Sequence, residues 1–227
     1  MGTKSLTWIE QALAIFQKDV RSELRTRYAL NAIVMFAVIT CTAVGFSVGQ
    51  FSLSPKVFSS LFWVVIFFSS MSGLAQVFVK EEEAKTANLL KLVASPSNIF
   101  LGKLFFNWVL LTFLEIIIVP LFILLLGLNL ENFWLFICVL LLGSLGLVCA
   151  TTIIAAMVSK AHIKGALFAV LSFPILLPLL IVCIDGTYLS IQGASFSQGV
   201  SDLKVLISFS VVMLVLSLLL FDWVWKE

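Results

Sequence analysis

Long apolar runs alternate with short polar segments along the whole chain. Six runs, each of 19 to 26 residues, contain only two charged residues between them, Glu115 and Asp222. An α-helix rises about 1.5 Å per residue, so roughly 20 residues cross the bilayer core of about 30 Å. Because lipid offers the backbone no hydrogen-bond partners, each run is predicted to be a transmembrane helix. The runs cover residues 29–48, 57–79, 104–128, 133–158, 165–184 and 205–223.

The composition excludes the main alternatives to a membrane protein. Hydrophobic residues make up 61% of the chain and charged residues 11%, whereas soluble domains are about half apolar and a quarter charged. The cysteines lack the paired spacing of a zinc or haem-attachment site, so we predict no metal site and interpret them as small buried apolar side chains. They are Cys41, Cys138, Cys149 and Cys183.

The basic residues predict how the spans are oriented. Twelve of the 14 Lys and Arg residues lie in the N-terminal segment, the second and fourth loops and the C-terminus. Only Lys56 and Lys204 fall on the other side. Basic residues concentrate on the cytoplasmic side of membrane proteins, so both termini are predicted to be cytoplasmic.

The segment before the first span, residues 1–28, has the pattern of an amphipathic helix. Its polar positions include Lys18, Arg21 and Arg25. Such a helix next to a membrane domain is expected to lie in the interface plane, with Phe16 among its anchors. It is either a simple topology anchor or the elbow helix of an ABC transporter membrane subunit. The apolar positions recur at steps of three or four: Leu6, Ile9, Leu13, Phe16, Val20 and Leu24.

The second loop, residues 80–103, is predicted to contain a short charged helix. Its three glutamates suit a helix N-terminus, where the helix dipole is positive, and Glu81 and Lys85 have the spacing of a favourable pair. The Pro96 ring is expected to end this helix. The helix is either a solvated loop face or a contact for a soluble partner. The residues assigned to that contact are Glu81, Glu82, Glu83, Lys85, Leu89 and Leu90.

Three residues inside the spans are unusual for a membrane helix. Glu115 lies 11 residues into the third run, near the middle of the bilayer, where a charge costs roughly 2.5–3.5 kcal/mol. It is therefore expected to be protonated, paired or turned inward. It could mark a substrate path or a proton-sensitive switch, or hydrogen-bond to a Ser or Thr of another helix. Pro174 and Pro178 predict a bent or broken fifth span, as a hinge or as a static kink.

The order and spacing of several short segments resemble the heme exporter protein B family, the membrane subunits of cytochrome c maturation ABC transporters. The segments are KDVRSELRTR at 18–27, FVKEEE at 78–83, LLKL at 89–92, SP at 95–96, FP at 173–174 and PLLI at 178–181. The resemblance implies an all-α, ABC-2-like permease of six spans. Residues 1–28 would form the elbow helix, and residues 29–227 the transmembrane domain with a coupling loop at 80–103.

The resemblance also implies partners. These are an ABC ATPase subunit, a haem-handling membrane protein, a small single-span protein and a periplasmic haem chaperone, all at the inner membrane. Six spans are half of the usual twelve, so two copies of the chain, or one copy with a related subunit, are expected. No nucleic-acid contact is expected.

The function expected on this basis is coupling rather than catalysis. The chain has no P-loop motif, so ATP hydrolysis is expected in the partner subunit and the chain itself is not expected to be an enzyme or to bind a cofactor directly. It would couple ATP use to haem export or to release of the haem-loaded chaperone. The alternatives are an ABC-2 exporter of a lipid, drug or polysaccharide, and an ATP-independent scaffold or secondary transporter.

Overall fold

The structure, a computed structural model, describes residues 8–48, 54–127, 130–159 and 164–226. Within these ranges all regular secondary structure is helical, which confirms the predicted all-α class. The helices are α1 (Trp8–Thr26), α2 (Tyr28–Val48), α3 (Pro55–Leu74), α4 (Gln76–Glu83), α5 (Ala87–Val93), α6 (Pro96–Leu126), α7 (Phe133–Val158), α8 (Lys164–Ile191) and α9 (Phe196–Lys226).

Six helical segments of the described chain are long and apolar enough to cross a membrane, as predicted. The second consists of α3 and α4, which follow each other with only Ala75 between them. The helices extend beyond the apolar runs because their ends are set by backbone chemistry rather than by hydropathy. For example, α6 begins at Pro96, whose fixed φ suits the first helical position, and ends at Gly127, whose φ of 66° is left-handed.

Helix α7 is the centre of the bundle. In its most apolar stretch 61% of the residues are buried, and the segment of α3 and α4 that shares the centre is 72% buried, against 22% in α9. Close packing depends on Gly143, where an added Cβ would lie 2.5 Å from the Trp63 ring and 2.6 Å from the Cys183 sulfur. The exposed apolar surfaces of the outer helices are the expected lipid-facing sides.

Helix α1 packs along the first part of α6. An added Cβ at Gly102 would lie 2.7 Å from the Ala12 carbonyl oxygen and 2.9 Å from the Ile15 Cβ. The absence of a side chain at this position lets the two helices approach closely. The predicted N-terminal helix is therefore present over Trp8–Thr26, and its first predicted positions, including Leu6, lie outside the described residues.

The second loop differs from its prediction in two ways. The three glutamates at 81–83 end α4 instead of starting a helix, and Lys85 has a left-handed φ of 56°, so the expected Glu81–Lys85 helical pair is wrong. The short helix of the loop is α5, and residues 96–103 belong to α6. Acidic residues at a helix C-terminus oppose the dipole, and in this fold distant lysines compensate for that charge.

Helix α8 continues through Pro174 and Pro178 without a break over Lys164–Ile191. Of the predicted bent or broken fifth span, the break is therefore wrong, and the bend stays a prediction. Neighbouring helices can compensate for the two missing backbone donors in a membrane helix. A hinge at these prolines stays a prediction.

Candidate functional site: a charged cluster between α1, α4 and α6

Six charged side chains from three helices meet where α1 crosses the ends of α4 and α6. The set contains three lysines and three carboxylates, so its formal charge balances. We call it the charged cluster: Lys18, Asp19, Glu23, Lys80, Glu81 and Lys103.

Lys103 is the buried centre of the charged cluster. Its side chain is fully buried, with 0% exposure. The ammonium donates to Asp19 Oδ2 at 3.1 Å, to Glu81 Oε1 at 3.0 Å and to the Val77 carbonyl oxygen at 3.0 Å. A lysine ammonium has three donors, so all of them are used. Lys103 thus connects α1, α4 and α6.

Glu81 extends this connection to α1 and toward α5. Besides the bond from Lys103, its carboxylate accepts hydrogen bonds from Lys18 and from the Thr86 hydroxyl, just before α5. Burial lowers the pKa of Lys18, but the neighbouring Asp19 and Glu81 outweigh burial and raise that pKa above its ordinary value of 10.5. One carboxylate therefore contacts groups from α1, α6 and the segment that leads into α5.

Glu23 and Lys80 form a separate ion pair between α1 and α4. The other Glu23 carboxylate oxygen accepts a hydrogen bond of 2.9 Å from the Leu30 backbone N–H near the start of α2. Glu23 is buried, whereas the Lys80 side chain is 40% exposed. Glu23 thus connects α1 with α4 and with the start of α2.

The buried face of α1 is acidic and its apolar stripe faces outward. Asp19 and Glu23 are buried one turn apart, and Ile15 precedes them on the same face. The predicted polar positions Arg21 and Arg25 are exposed, while Phe16 is half-buried with its ring 4.7 Å from that of Phe105. The exposed apolar residues are Trp8, Ile9, Leu13 and Leu24. This arrangement suits a helix at a membrane surface.

Helix α5 carries an apolar patch on the outside of the protein. Its side chains are exposed by 62% at Leu89, 84% at Leu92 and 77% at Val93. We call these three residues the apolar patch. Leu90 is half-buried, and the acidic end of α4 with Lys85 lies immediately before α5 in the chain. Of the patch, sequence reasoning had singled out only Leu89. A contiguous exposed apolar surface commonly marks an interaction site.

A cavity of about 560 Å³ lies between α1, α4, α5 and α6. Lys18, Lys80 and Glu23 of the charged cluster line it, and so do Leu90, Leu110 and two residues of the apolar patch, Leu89 and Val93. The charged cluster and α5 are thus two walls of the same space.

Glu115 is separate from the charged cluster and points into the bundle. It is 2% exposed, so the expectation that it turns inward is confirmed. Neither carboxylate oxygen has a hydrogen-bond partner among the residues that the structure describes. The predicted bond to a Ser or Thr is therefore not found there, and a role in a substrate path or a switch stays a prediction. Within the same residues, no three His, Cys, Asp or Glu side chains are grouped as metal ligands.

Two comparisons with known proteins show what this chain is similar to. The family described as CcmB protein matches residues 10–222 of the chain. A curated relative described as Heme exporter protein B, from Bradyrhizobium diazoefficiens, is 26% identical over 205 residues. That alignment covers 89% of this chain and 91% of the relative.

Proposed function

Because the chain belongs to the CcmB protein family, we propose that it is the membrane subunit of an ABC transporter that serves haem export in cytochrome c maturation. The relative described as Heme exporter protein B supports haem as the cargo of the system. The six apolar helices support a multi-pass position in the inner membrane. The basic residues support cytoplasmic termini, and with them a cytoplasmic position for α1, α5 and the charged cluster.

The observation that carries the proposal is the apolar patch on α5 beside the charged cluster. The chain has no P-loop motif, so ATP hydrolysis takes place in a separate ATPase subunit. That subunit binds to the apolar patch, and Glu82, Glu83 and Lys85 contact it next to the patch. Burying Leu89, Leu92 and Val93 stabilises the contact by the hydrophobic effect.

The charged cluster transmits the movement of α5 to the spans. Thr86 holds the start of α5 to Glu81, and Glu81 is bonded to Lys103 on α6 and to Lys18 on α1. Displacing α5 therefore moves α4, α6 and the elbow helix together. Pro174 and Pro178 give α8 the local flexibility of a hinge in the same movement.

The chain couples ATP use to the haem system instead of conducting haem itself. Histidine is a common axial ligand of haem iron, and the chain has one histidine, His162, which lies outside the described residues. The absence of histidine from the apolar runs supports release of a haem-loaded chaperone as the coupled step. The partners are the haem-handling membrane protein, the small single-span protein and the periplasmic chaperone, with two copies of this chain in the complex.

A copurification experiment tests the ATPase contact. The Leu89→Asp/Leu92→Asp variant places two charges in the apolar patch, and we expect the ATPase subunit to be lost from the purified complex and holocytochrome c to disappear. Ser195→Asp is the matched control because Ser195 is exposed in the link between α8 and α9. A double variant that keeps its ATPase would overturn the proposed ATPase contact on α5. Normal holocytochrome c after deletion of the protein would overturn the proposed function.

A further inference from the structure

The cavity between α1, α4, α5 and α6 has charged groups on one part of its wall and hydrocarbon on another. Lys18, Lys80 and the carboxylates line the first part. Leu90, Phe106 and Leu110 line the second, and the last two belong to the third membrane-spanning helix. At about 560 Å³ the cavity is within the size range of ligand sites in proteins.

Two lysines and three carboxylates line this cavity, and the ammonium groups are the more exposed of these charges. The side chains of Lys18 and Lys80 are 45% and 40% exposed, whereas the Glu23 side chain is only 4% exposed. The carboxylates of the cluster are thus buried behind the ammonium groups. Among the described residues, Lys80 donates to a single acceptor, a Glu23 oxygen. Two of its three donors remain for a ligand.

Both parts of the wall suit one amphiphilic molecule with a phosphate group and a long apolar chain. We propose that the cavity binds one phospholipid of the surrounding bilayer. The phosphate lies between the ammonium groups of Lys18 and Lys80, and an acyl chain follows Leu90 and Leu110. The outward apolar stripe of α1 keeps the cavity entrance at the membrane surface, where such a lipid is available. An inorganic phosphate would satisfy the lysines but leave the apolar wall uncovered.

Binding of this lipid depends neither on the identity of the cargo nor on the ATPase subunit. The lipid fills the space between α1 and α5 and so stiffens the connection from the apolar patch to the charged cluster. Its test therefore uses the full chain alone.

The experiment is native mass spectrometry of the full-length protein, extracted in a mild detergent. We expect one phospholipid per chain. In Ser22→Trp, whose ring would occupy the cavity from α1, the lipid-bound fraction should fall about tenfold. Gln17→Trp is the matched control because Gln17 is exposed on α1 outside the cavity, and it should keep the lipid.

A second variant tests whether the charged groups, and not only the shape of the cavity, contribute to lipid binding. Glu23→Gln/Lys80→Gln removes the pair together, so no unpaired carboxylate remains, and we expect the lipid-bound fraction to fall while the melting temperature stays close to that of the parent. Equal lipid in Ser22→Trp and Gln17→Trp, or a parent protein without phospholipid, would overturn the proposal. Displacement of the lipid by excess inorganic phosphate would also overturn it, because the site would then recognise phosphate alone.

Discussion

The Lys103 ammonium lies 3.0 Å from the Glu81 carboxylate, across the contact between α6 and α4. Lys103 is fully buried, and Asp19 on α1 is its second acidic partner. A buried cation of this kind holds its helices in one arrangement, because moving α6 away takes the fully buried Lys103 from both of its acidic partners.

Replacing Lys103 with methionine should destabilise the protein by about 3–5 kcal/mol, because Asp19 and Glu81 lose their buried cation. Thermal unfolding of the purified protein in detergent measures the effect. Lys204→Met is the control, since Lys204 is exposed on α9 and its loss should change the unfolding free energy by no more than about 0.5 kcal/mol. Equal melting temperatures for the two variants would contradict the central role of Lys103.

Replacing Glu115 with glutamine should leave the stability of the protein unchanged or raise it. Glutamine has nearly the same shape, and neither carboxylate oxygen of Glu115 has a partner in the described part of the chain. An unpaired charge at this depth is costly, so the carboxyl is expected to be protonated, and glutamine then replaces one neutral polar side chain with another. The same unfolding assay checks this, with Glu115→Ala as the cavity-forming comparison. A marked loss of stability in the glutamine variant would show that the carboxylate is paired.

The yield of holocytochrome c in the Glu115→Gln strain answers the separate question of function. A stable variant that fails to support haem attachment would assign the carboxyl to transport. Normal yield would leave Glu115 with a packing role.

Replacing Gly102 with leucine should detach α1 from α6. The new side chain would occupy the space of the Ala12 carbonyl and of Ile15. Trypsin cleaves after arginine, so cleavage at Arg21 and Arg25 reports the release of α1, and we expect the rate to rise about tenfold, equivalent to roughly 1.4 kcal/mol of lost docking energy. Ser97→Leu, at an exposed α6 position, should be cleaved at the parent rate. A Gly102→Leu protein as resistant as Ser97→Leu would refute the docking.

Single cysteines should report the orientation of the spans. Ser195→Cys, between α8 and α9, should react with a membrane-impermeant maleimide added to the periplasmic side of the inner membrane. Ser95→Cys, between α5 and α6, should react only after the membrane is made permeable. Cys41, Cys149 and Cys183 are buried, and Cys138, which is half-buried, is replaced by serine in the parent to keep the background low. The reverse labelling pattern would invert the proposed topology.

The six spans could be predicted because each depends on a local run of apolar residues. Helix ends were less predictable. Pro96 was correctly expected to end the preceding helix, but the same ring also starts α6, eight residues before the apolar run at 104–128. A hydropathy pattern marks the part of a helix that lies in lipid, and this helix continues beyond that part.

The charged cluster could not be predicted from local patterns. Lys103 is 84 residues from Asp19 in the chain, and its position beside an apolar run suggested only a topology signal. The glutamates at 81–83 suggested a helix start because the dipole is a local effect, whereas Lys18 and Lys103 act on Glu81 through the tertiary fold. One feature of the sequence does indicate the cluster. Asp19 and Glu23 lie one turn apart on α1, and two carboxylates on a buried helix face require basic partners.

The acidic inner face of α1 also imposes an order on the biogenesis of the protein. Asp19 leaves the ribosome long before its buried cation, because 84 residues separate it from Lys103. During that interval the first two spans are synthesised, and the newly made α1 has no α6 residues to pack against. The outward apolar stripe allows α1 to bind to the lipid surface before it docks. Docking of the N-terminal helix therefore follows the synthesis of α4 and of the first turns of α6, which carry Glu81 and Lys103.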